Sequence, residues 1–103
     1  MGVNAMPAYL IAEHTMAAPS KFEEHRVKVG PLVAKHGGRY ITKGGSHVVP
    51  EQDNAVWQPG RVVIVEFPDM ASLHAWYSTP EYQPLIALRR ESARDMLITL
   101  KGA

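Results

Sequence analysis

The chain has 103 residues, which fits one domain, and its 11 Lys and Arg residues nearly balance its 10 Asp and Glu residues. A net charge of +1 gives no indication of nucleic acid or of an anionic membrane surface as a partner. The sequence has no cysteine, which excludes disulfide bonds, zinc sites built from thiolates and cysteine nucleophiles.

The sequence also shows no membrane or export signal. No apolar stretch approaches the roughly 20 residues that a membrane-spanning helix needs, so we predict no membrane partner. The first residues lack the basic start and the apolar stretch of a signal peptide, and we expect a cytoplasmic protein. Residues 1–6 are predicted to be a flexible tail, and residues 7–103 a single domain.

The first half of the domain reads as a strand and a helix. Ala8–Met16 is predicted to be a strand, because its side chains alternate between two faces. Ser20 and Glu23 have the spacing of a capping box, which predicts the start of a helix. Pro31 lies inside this helix and is expected to bend it, and Gly37 with Gly38 is expected to end it.

Two further strands follow, Arg39–Lys43 and Arg61–Phe67. The polar, turn-rich residues 46–60 between them are predicted to form a long connection, and loops of this length in compact domains are often functional. Arg61–Phe67 is apolar on both of its faces, which is unusual for a strand with one face in water.

The last part of the chain is predicted to be helical and then extended. Asp69 is a good N-cap for a helix, and Thr79 followed by Pro80 indicates that the helix restarts there. Trp76 on this helix is expected to pack against Phe67 in the core. Residues 94–100 are predicted to be the final strand.

The predicted order is β-α-β-β-α-β, which is the ferredoxin-like α+β arrangement with a four-stranded antiparallel sheet. Its helices cover one face of the sheet only. Because the strand Arg61–Phe67 is apolar on both faces, we expect a second copy of the chain to cover the other face. The sequence therefore predicts a homodimer of the dimeric α/β-barrel kind, with a cavity between the two sheets.

Three segments together carry a resemblance to a known family. They are Gly37 to Tyr40 with Gly44 and Gly45, Trp57 with Pro59 and residues 62–69, and residues 76–82 with Arg89. The chain resembles the dimeric α/β-barrel family called domain of unknown function thirteen-thirty, over nearly its whole length after Met6. This resemblance implies the fold and the dimer but no substrate. The family pattern has a tyrosine where this chain has His25.

Glu66 is the main catalytic candidate, because it is a carboxylate in an otherwise apolar strand, on the side opposite Phe67. In an apolar cavity its pKa would be raised, and it could act as a general acid or base near neutral pH. The alternative is a structural ion pair with Arg39, Arg61 or Arg89.

Five residues are candidates for substrate binding. An arginine can hold a carboxylate with its planar guanidinium group, and aromatic side chains can form the walls of a site. These candidates are Arg39, Tyr40, Arg89, Tyr82 and Trp57. The alternatives are that Arg89 pairs with Glu81 or Glu91 and that the aromatic residues belong to the core.

No metal site or cofactor is predicted. Four of the five histidines are spaced by eleven residues, but His25 and His36 would lie about 16 Å apart along one helix. Motifs of serine hydrolases, P-loop nucleotide hydrolases and Rossmann dinucleotide-binding proteins are missing from the sequence.

These observations leave three functional hypotheses, and they do not decide whether the protein is an enzyme. The first is a dimer that binds or converts a small organic molecule in the cavity between the sheets. The second is a non-catalytic structural or regulatory dimer whose cavity is filled by side chains. The third, a haem-binding protein, has less support because no histidine is placed as a convincing axial ligand.

Overall fold

A computed structural model of the chain describes residues 6–52 and 58–103. The predicted tail, apart from Met6, lies outside the described residues, and so does Trp57, one of the binding candidates. The described parts of the predicted connection, residues 46–52 and 58–60, contain neither helix nor strand.

The predicted order of elements is confirmed, with the second helical region divided into two helices. Along the described residues, the elements are β1 (Ala8–Met16), α1 (Pro19–Lys35), β2 (Arg39–Lys43), β3 (Arg61–Phe67), α2 (Met70–Tyr77), α3 (Gln83–Ser92) and β4 (Ala93–Lys101). No helix in this part of the chain is long and apolar enough to cross a membrane.

The four strands form one antiparallel sheet in the order β2-β3-β1-β4. Alternate side chains of the two central strands are buried beneath the helices, where the core forms. Phe67 and Trp76 pack against each other in this core, with ring centroids 5.5 Å apart, as the sequence predicts. A four-stranded antiparallel sheet with a helical layer on one face is the ferredoxin-like fold.

The other face of the sheet carries no helix in the described part of the chain, and we call it the open face; the described residues 45–52 lie beside it near Thr42 and Val62. Its apolar side chains on β4 are exposed, with 61% of Met96, 50% of Ile98 and 40% of Leu100 accessible to solvent. Ile11 on β1 and Ile64 on β3 pair in register and lie on the same face, half-buried. On the open face, an apolar row therefore crosses three strands at Ile98, Ile11 and Ile64.

The two helix starts differ in how well the sequence predicts them. Asp69 caps α2 as predicted, since its Oδ1 accepts a hydrogen bond of 2.7 Å from the backbone N–H of Ser72. The prediction of a capping box for α1 is wrong, because the helix begins at Pro19 and no side chain caps it. Glu23 instead accepts a hydrogen bond of 3.0 Å from Arg26 Nε on the same helix surface.

The restart of the second helical region is also later than predicted. Thr79 Oγ1 accepts a hydrogen bond of 3.2 Å from the backbone N–H of Tyr82 and donates one of 2.9 Å to the Trp76 carbonyl. These bonds stabilise a turn over residues 79–82, and α3 begins after it at Gln83. The turn places the Tyr82 ring in the core, 4.3 Å from the Trp76 ring.

Candidate functional site

The main catalytic candidate, Glu66, lies on the open face in a small polar cluster. Its register partners are Arg39 on β2 and Tyr9 on β1. Arg39 Nε donates a hydrogen bond of 2.7 Å to Glu66 Oε1, and the Tyr9 hydroxyl donates one of 2.9 Å to Oε2. The structure therefore brings Glu66 together with Arg39, one of the three arginines that the sequence offered as an ion-pair partner.

This cluster determines the protonation of Glu66. The hydrogen bonds from Arg39 and then from Tyr9 stabilise the charged carboxylate and lower the pKa of Glu66. The raised pKa expected for a carboxylate in an apolar cavity is therefore wrong for the single chain. The hydrogen bond from the Tyr9 hydroxyl to Glu66 also raises the pKa of Tyr9, so this hydroxyl stays protonated as a donor.

Arg89 and Tyr82 lie in the other layer of the molecule, between the helices and the sheet. Arg89 Nη1 donates a hydrogen bond of 2.8 Å to the Tyr82 hydroxyl, and Arg89 Nε donates one of 2.9 Å to Asp95 Oδ2. Asp95 is the ion-pair partner of Arg89, rather than the expected Glu81 or Glu91. Burial raises the pKa of Tyr82 to about 12, so its hydroxyl remains neutral.

These buried hydrogen bonds continue to a histidine that was not among the site residues predicted from the sequence. His14 on β1 and Asp95 on β4 are direct register partners, and His14 Nδ1 lies 2.6 Å from Asp95 Oδ1. Both side chains are more than nine-tenths buried. A sequence signal was present, because His14 continues the inward-facing positions of Leu10 and Ala12. One hydrogen-bond network beneath the helices thus connects the polar residues Tyr82, Arg89, Asp95 and His14.

His14 lines a cavity of about 90 Å³ between α1 and the sheet, which we call the α1 cavity. Its apolar walls are Phe22, Val29 and Val63, and its polar lining includes both histidines of this region, His14 and His25. The full lining is His14, Phe22, His25, Arg26, Val29, Gly30, Tyr40, Lys43, Arg61 and Val63. Among the predicted binding residues, Tyr40 lies here, whereas Arg39 lies on the open face.

A bulge in β2 places two side chains in the lining of the α1 cavity. Tyr40 pairs with Val65 and Lys43 with Val63, so both lie on the helix side of the sheet although they are three residues apart. In a regular strand, residues three apart point to opposite faces. The bulge between Tyr40 and Thr42 supplies the extra residue, and Lys43 Nζ then lies 5.1 Å from the centroid of the Tyr40 ring.

Arg61 completes the polar rim of the cavity. It is the register partner of His14 on the side opposite Asp95, and its side chain passes over Gly44. Gly44 has a φ of +85°, and a Cβ at this position would collide with Arg61 Cγ. Glycine is therefore required here both for the backbone conformation and for the course of Arg61.

His25 is the only buried side chain of the cavity whose ring nitrogens both lack a hydrogen-bond partner within the described residues. It lies on the buried face of α1, only 6% exposed, and its ring packs 5.4 Å from the Phe22 ring. Burial is the main cause that lowers the pKa of His25 to about 4, and the charge of Arg89 adds to it. His25 is therefore neutral near pH 7, with one N–H donor and one acceptor nitrogen.

The histidines do not form a metal site in the described part of the chain. Nowhere in residues 6–52 and 58–103 do three His, Asp or Glu side chains meet in a way that could hold a metal ion. His36, the next member of the eleven-residue series, lies at the end of α1, where its Nδ1 is 3.1 Å from the Leu32 carbonyl oxygen.

The sheet and its single helical layer define a protein of the ferredoxin-like α+β class. A family model described as Domain of unknown function (DUF1330) matches residues 7–103. The chain therefore belongs to this family, as its sequence segments predict. No curated protein matches the chain.

Solved structures with low sequence identity share the fold. A protein of unknown function from Rhodopseudomonas palustris is 18% identical, with a TM-score of 0.77 over 96% of this chain and 84% of that chain. SnoaB from Streptomyces nogalater, a cofactor-independent oxygenase, is 16% identical, with a TM-score of 0.66 over 96% and 95% of the two chains. A dimeric ferredoxin-like protein of unknown function from Thermobifida fusca is 12% identical, with a TM-score of 0.61 over 94% and 92%.

Proposed function

We propose that the protein binds a small organic molecule in the α1 cavity and removes a proton from it, with His14 as the proton acceptor. The observation that carries this proposal is the contact of 2.6 Å between His14 Nδ1 and the buried Asp95 carboxylate, at the wall of a cavity. A histidine oriented by a carboxylate is a common general base in proteins.

The buried hydrogen-bond network supports this role for His14. The Asp95 carboxylate accepts the Nδ1 proton, which leaves the lone pair of Nε2 to accept a proton from a bound molecule. The electron pair of the broken bond stays on the molecule, and the carboxylate stabilises the imidazolium that forms. Arg89 holds the other carboxylate oxygen at 2.9 Å, so that Asp95 is fixed from both sides.

The comparison with SnoaB adds support of a general kind. SnoaB is a cofactor-independent oxygenase with the same fold, so this fold can carry out small-molecule chemistry without a cofactor. Our proposal likewise needs no cofactor and no metal. It moves the site from the expected space between the sheets to the cavity beneath α1, and it assigns Glu66 to the ion pair with Arg39.

We also propose that the protein is a homodimer that packs through the open face. The exposed apolar surface of Met96, Ile98 and Leu100 supports this assembly, because patches of this kind on soluble proteins mark interaction surfaces. A second copy offers the same surface in return, as a two-fold interface requires. The Thermobifida fusca relative is described as dimeric. A cytoplasmic location stays a prediction from the sequence.

Nuclear magnetic resonance with a library of small acids, amides, ketones and phenols tests the proposed function. We expect binding molecules to shift the amide resonances of Val29, Gly30 and Val63, which line the cavity. One or more of them should exchange a carbon-bound proton for deuterium in D₂O when the protein is added. His14→Gln should abolish the exchange, and His74→Gln, at an exposed histidine of α2, should not.

Three outcomes would contradict the proposal. If no molecule shifts the resonances of the cavity, the alternative of a structural or regulatory dimer gains support. If exchange continues at the wild-type rate in His14→Gln, the proton acceptor is another residue. A ligand that shifts only the resonances of the open face would return the site to the space between the sheets.

A further inference from the structure

We propose that the ligand of the α1 cavity is a short-chain carboxylate that carries a carbonyl group next to its carboxylate. This inference rests on the proposed function, and it names the class of molecule that the site would take. Three features of the cavity carry it: the charge at its rim, the size of its apolar interior and the neutral hydrogen-bonding groups in its lining.

The rim of the cavity is positively charged. Arg26, Lys43 and Arg61 all line it and are exposed at its mouth. Arg26 forms an ion pair with Glu23 on α1. In the described part of the chain, neither Lys43 nor Arg61 has a carboxylate within ion-pair distance. A ligand carboxylate at the rim would balance these two charges, and the planar guanidinium group of Arg61 suits it.

The interior of the cavity is small and largely apolar. An apolar cavity of about 150 Å³ binds benzene, which corresponds to about 25 Å³ for each carbon atom. The volume of about 90 Å³ therefore admits about four non-hydrogen atoms between Phe22, Val29 and Val63. A short aliphatic chain fits this space with its carboxylate at the rim, whereas a larger ring system does not.

The lining offers neutral donors to an oxygen atom of the ligand. His25 lies in the lining, nine-tenths buried, and neither of its ring nitrogens is bonded to another described residue. A buried polar group without a partner is costly, so a ligand oxygen that accepts from the His25 N–H would be favoured. The Tyr40 hydroxyl in the cavity lining is a second donor, because desolvation raises the pKa of Tyr40 and keeps it protonated. A carbonyl oxygen can accept hydrogen bonds from both groups, and it carries no proton that would need an acceptor in the cavity.

These groups together match one chemical step. A carbon next to a carbonyl group is weakly acidic, and His14 Nε2 takes its proton. The C–H electron pair forms the carbon–carbon double bond of an enolate, and the carbonyl π pair moves onto the oxygen. The donors of His25 and Tyr40 stabilise that oxygen as its negative charge develops. Return of a proton from His14 to the same carbon completes the cycle, with no oxidant or reductant consumed.

Binding experiments with 2-oxobutyrate, butyrate and butyramide separate these features. We expect 2-oxobutyrate to bind at least tenfold more tightly than butyrate, because it adds the carbonyl oxygen. We expect butyrate to bind at least tenfold more tightly than neutral butyramide, which has the same shape. Arg61→Gln should remove the preference for the acid over the amide. Arg90→Gln, at an exposed arginine of α3 outside the cavity, is the matched control and should keep it.

The variant His25→Phe tests the carbonyl contact, because phenylalanine keeps the ring and removes both nitrogens. We expect its preference for 2-oxobutyrate over butyrate to fall to near unity, while the preference for butyrate over butyramide remains. Deuterium exchange at carbon 3 of 2-oxobutyrate should slow in the same variant. A spectrum that shows folded protein confirms that the change is local.

The outcomes distinguish this inference from the proposed function. If neutral amides or ketones bind in the cavity as tightly as the acids, the proposed ligand class is wrong. The proposed cavity and its base, His14, are then still supported. If cavity resonances respond to no molecule of the library, both fail. If the acids bind but Arg61→Gln and Arg90→Gln behave alike, the carboxylate is not held at this rim, and the inference is overturned.

Discussion

His14 Nδ1 lies 2.6 Å from Asp95 Oδ1, although 81 positions separate the two residues in the sequence. The contact depends on the register of β1 and β4, in which these residues are direct partners. Both side chains are more than nine-tenths buried, and Arg89 supplies the charge that balances the carboxylate. The pair is therefore a fixed element of the core as well as part of the proposed site.

Asp95→Asn should destabilise the protein, because Arg89 would lose its counter-charge while remaining buried. Removal of one partner from a buried ion pair costs about 3–5 kcal/mol. Urea denaturation of wild type and variant measures this change in the free energy of unfolding. Glu91→Gln is the control, since Glu91 pairs with Lys21 at 3.5 Å on the surface, and such pairs contribute about 1 kcal/mol or less. Equal effects of the two substitutions would contradict the buried network.

The pH dependence of stability should reveal His25. Its pKa is about 4 in the folded protein, against the ordinary histidine value of 6.5, so the unfolded chain binds the proton first as pH falls. The free energy of unfolding should be full above about pH 6.5 and decrease by about 3 kcal/mol down to about pH 4. The positive charge of Arg89 and the nearby His14 act in the same direction as burial, and Asp95 opposes them.

Thermal unfolding between pH 4 and pH 7 tests this expectation. His25→Phe should lose less stability over this range than wild type, because it has no proton to bind. His74→Phe, at an exposed histidine of α2, should follow the wild-type curve. If His25→Phe and wild type lose stability in parallel, the pKa of His25 is the same in the folded and the unfolded chain, and burial does not lower it.

Trp76 should contribute strongly to stability through its packing. It is 1% exposed, and its ring contacts both Phe67 and Tyr82 at centroid distances of 5.5 Å and 4.3 Å. Trp76→Ala should lower the free energy of unfolding by about 3–5 kcal/mol, as for other buried aromatic side chains. The neighbouring Tyr77, which is exposed, is the control, and Tyr77→Ala should have a much smaller effect. An unchanged melting temperature in Trp76→Ala would contradict the core described above.

The fold was more predictable than the site, for physical reasons that particular residues illustrate. The bounds of β1 follow from local alternation, and the Asp69 cap follows from local hydrogen bonding, so the sequence predicts both. The contact of His14 with Asp95 depends on a register that no local pattern contains. The position of Lys43 on the helix side of the sheet results from a bulge, which reverses the alternation that a regular strand would have.

The homodimer can be tested by changing the charge of the open face. Met96 on β4 and Val27 on α1 are equally exposed in the single chain, at 61% each, but lie on opposite sides of the molecule. Met96→Lys should yield monomers in sedimentation equilibrium, because a lysine ammonium would lose its hydration in an apolar interface. Val27→Lys should keep twice the mass of one chain, as should wild type. A monomeric wild type at micromolar concentration would contradict the proposed interface.

Glu66→Gln decides between the two faces of the sheet as the place of the site. The Arg39 and Tyr9 hydrogen bonds lower the pKa of Glu66, so its contribution to stability is present above the pKa of the unfolded chain. That contribution is lost as pH falls through the lower pKa of the folded protein, and the glutamine variant should lack this dependence. At pH 7 we expect Glu66→Gln to be less stable than wild type but to bind 2-oxobutyrate with unchanged affinity. His14→Gln should show no deuterium exchange, whereas Glu66→Gln should exchange at the wild-type rate. Loss of exchange in Glu66→Gln, with exchange retained in His14→Gln, would place the chemistry on the open face, between the two sheets of the dimer.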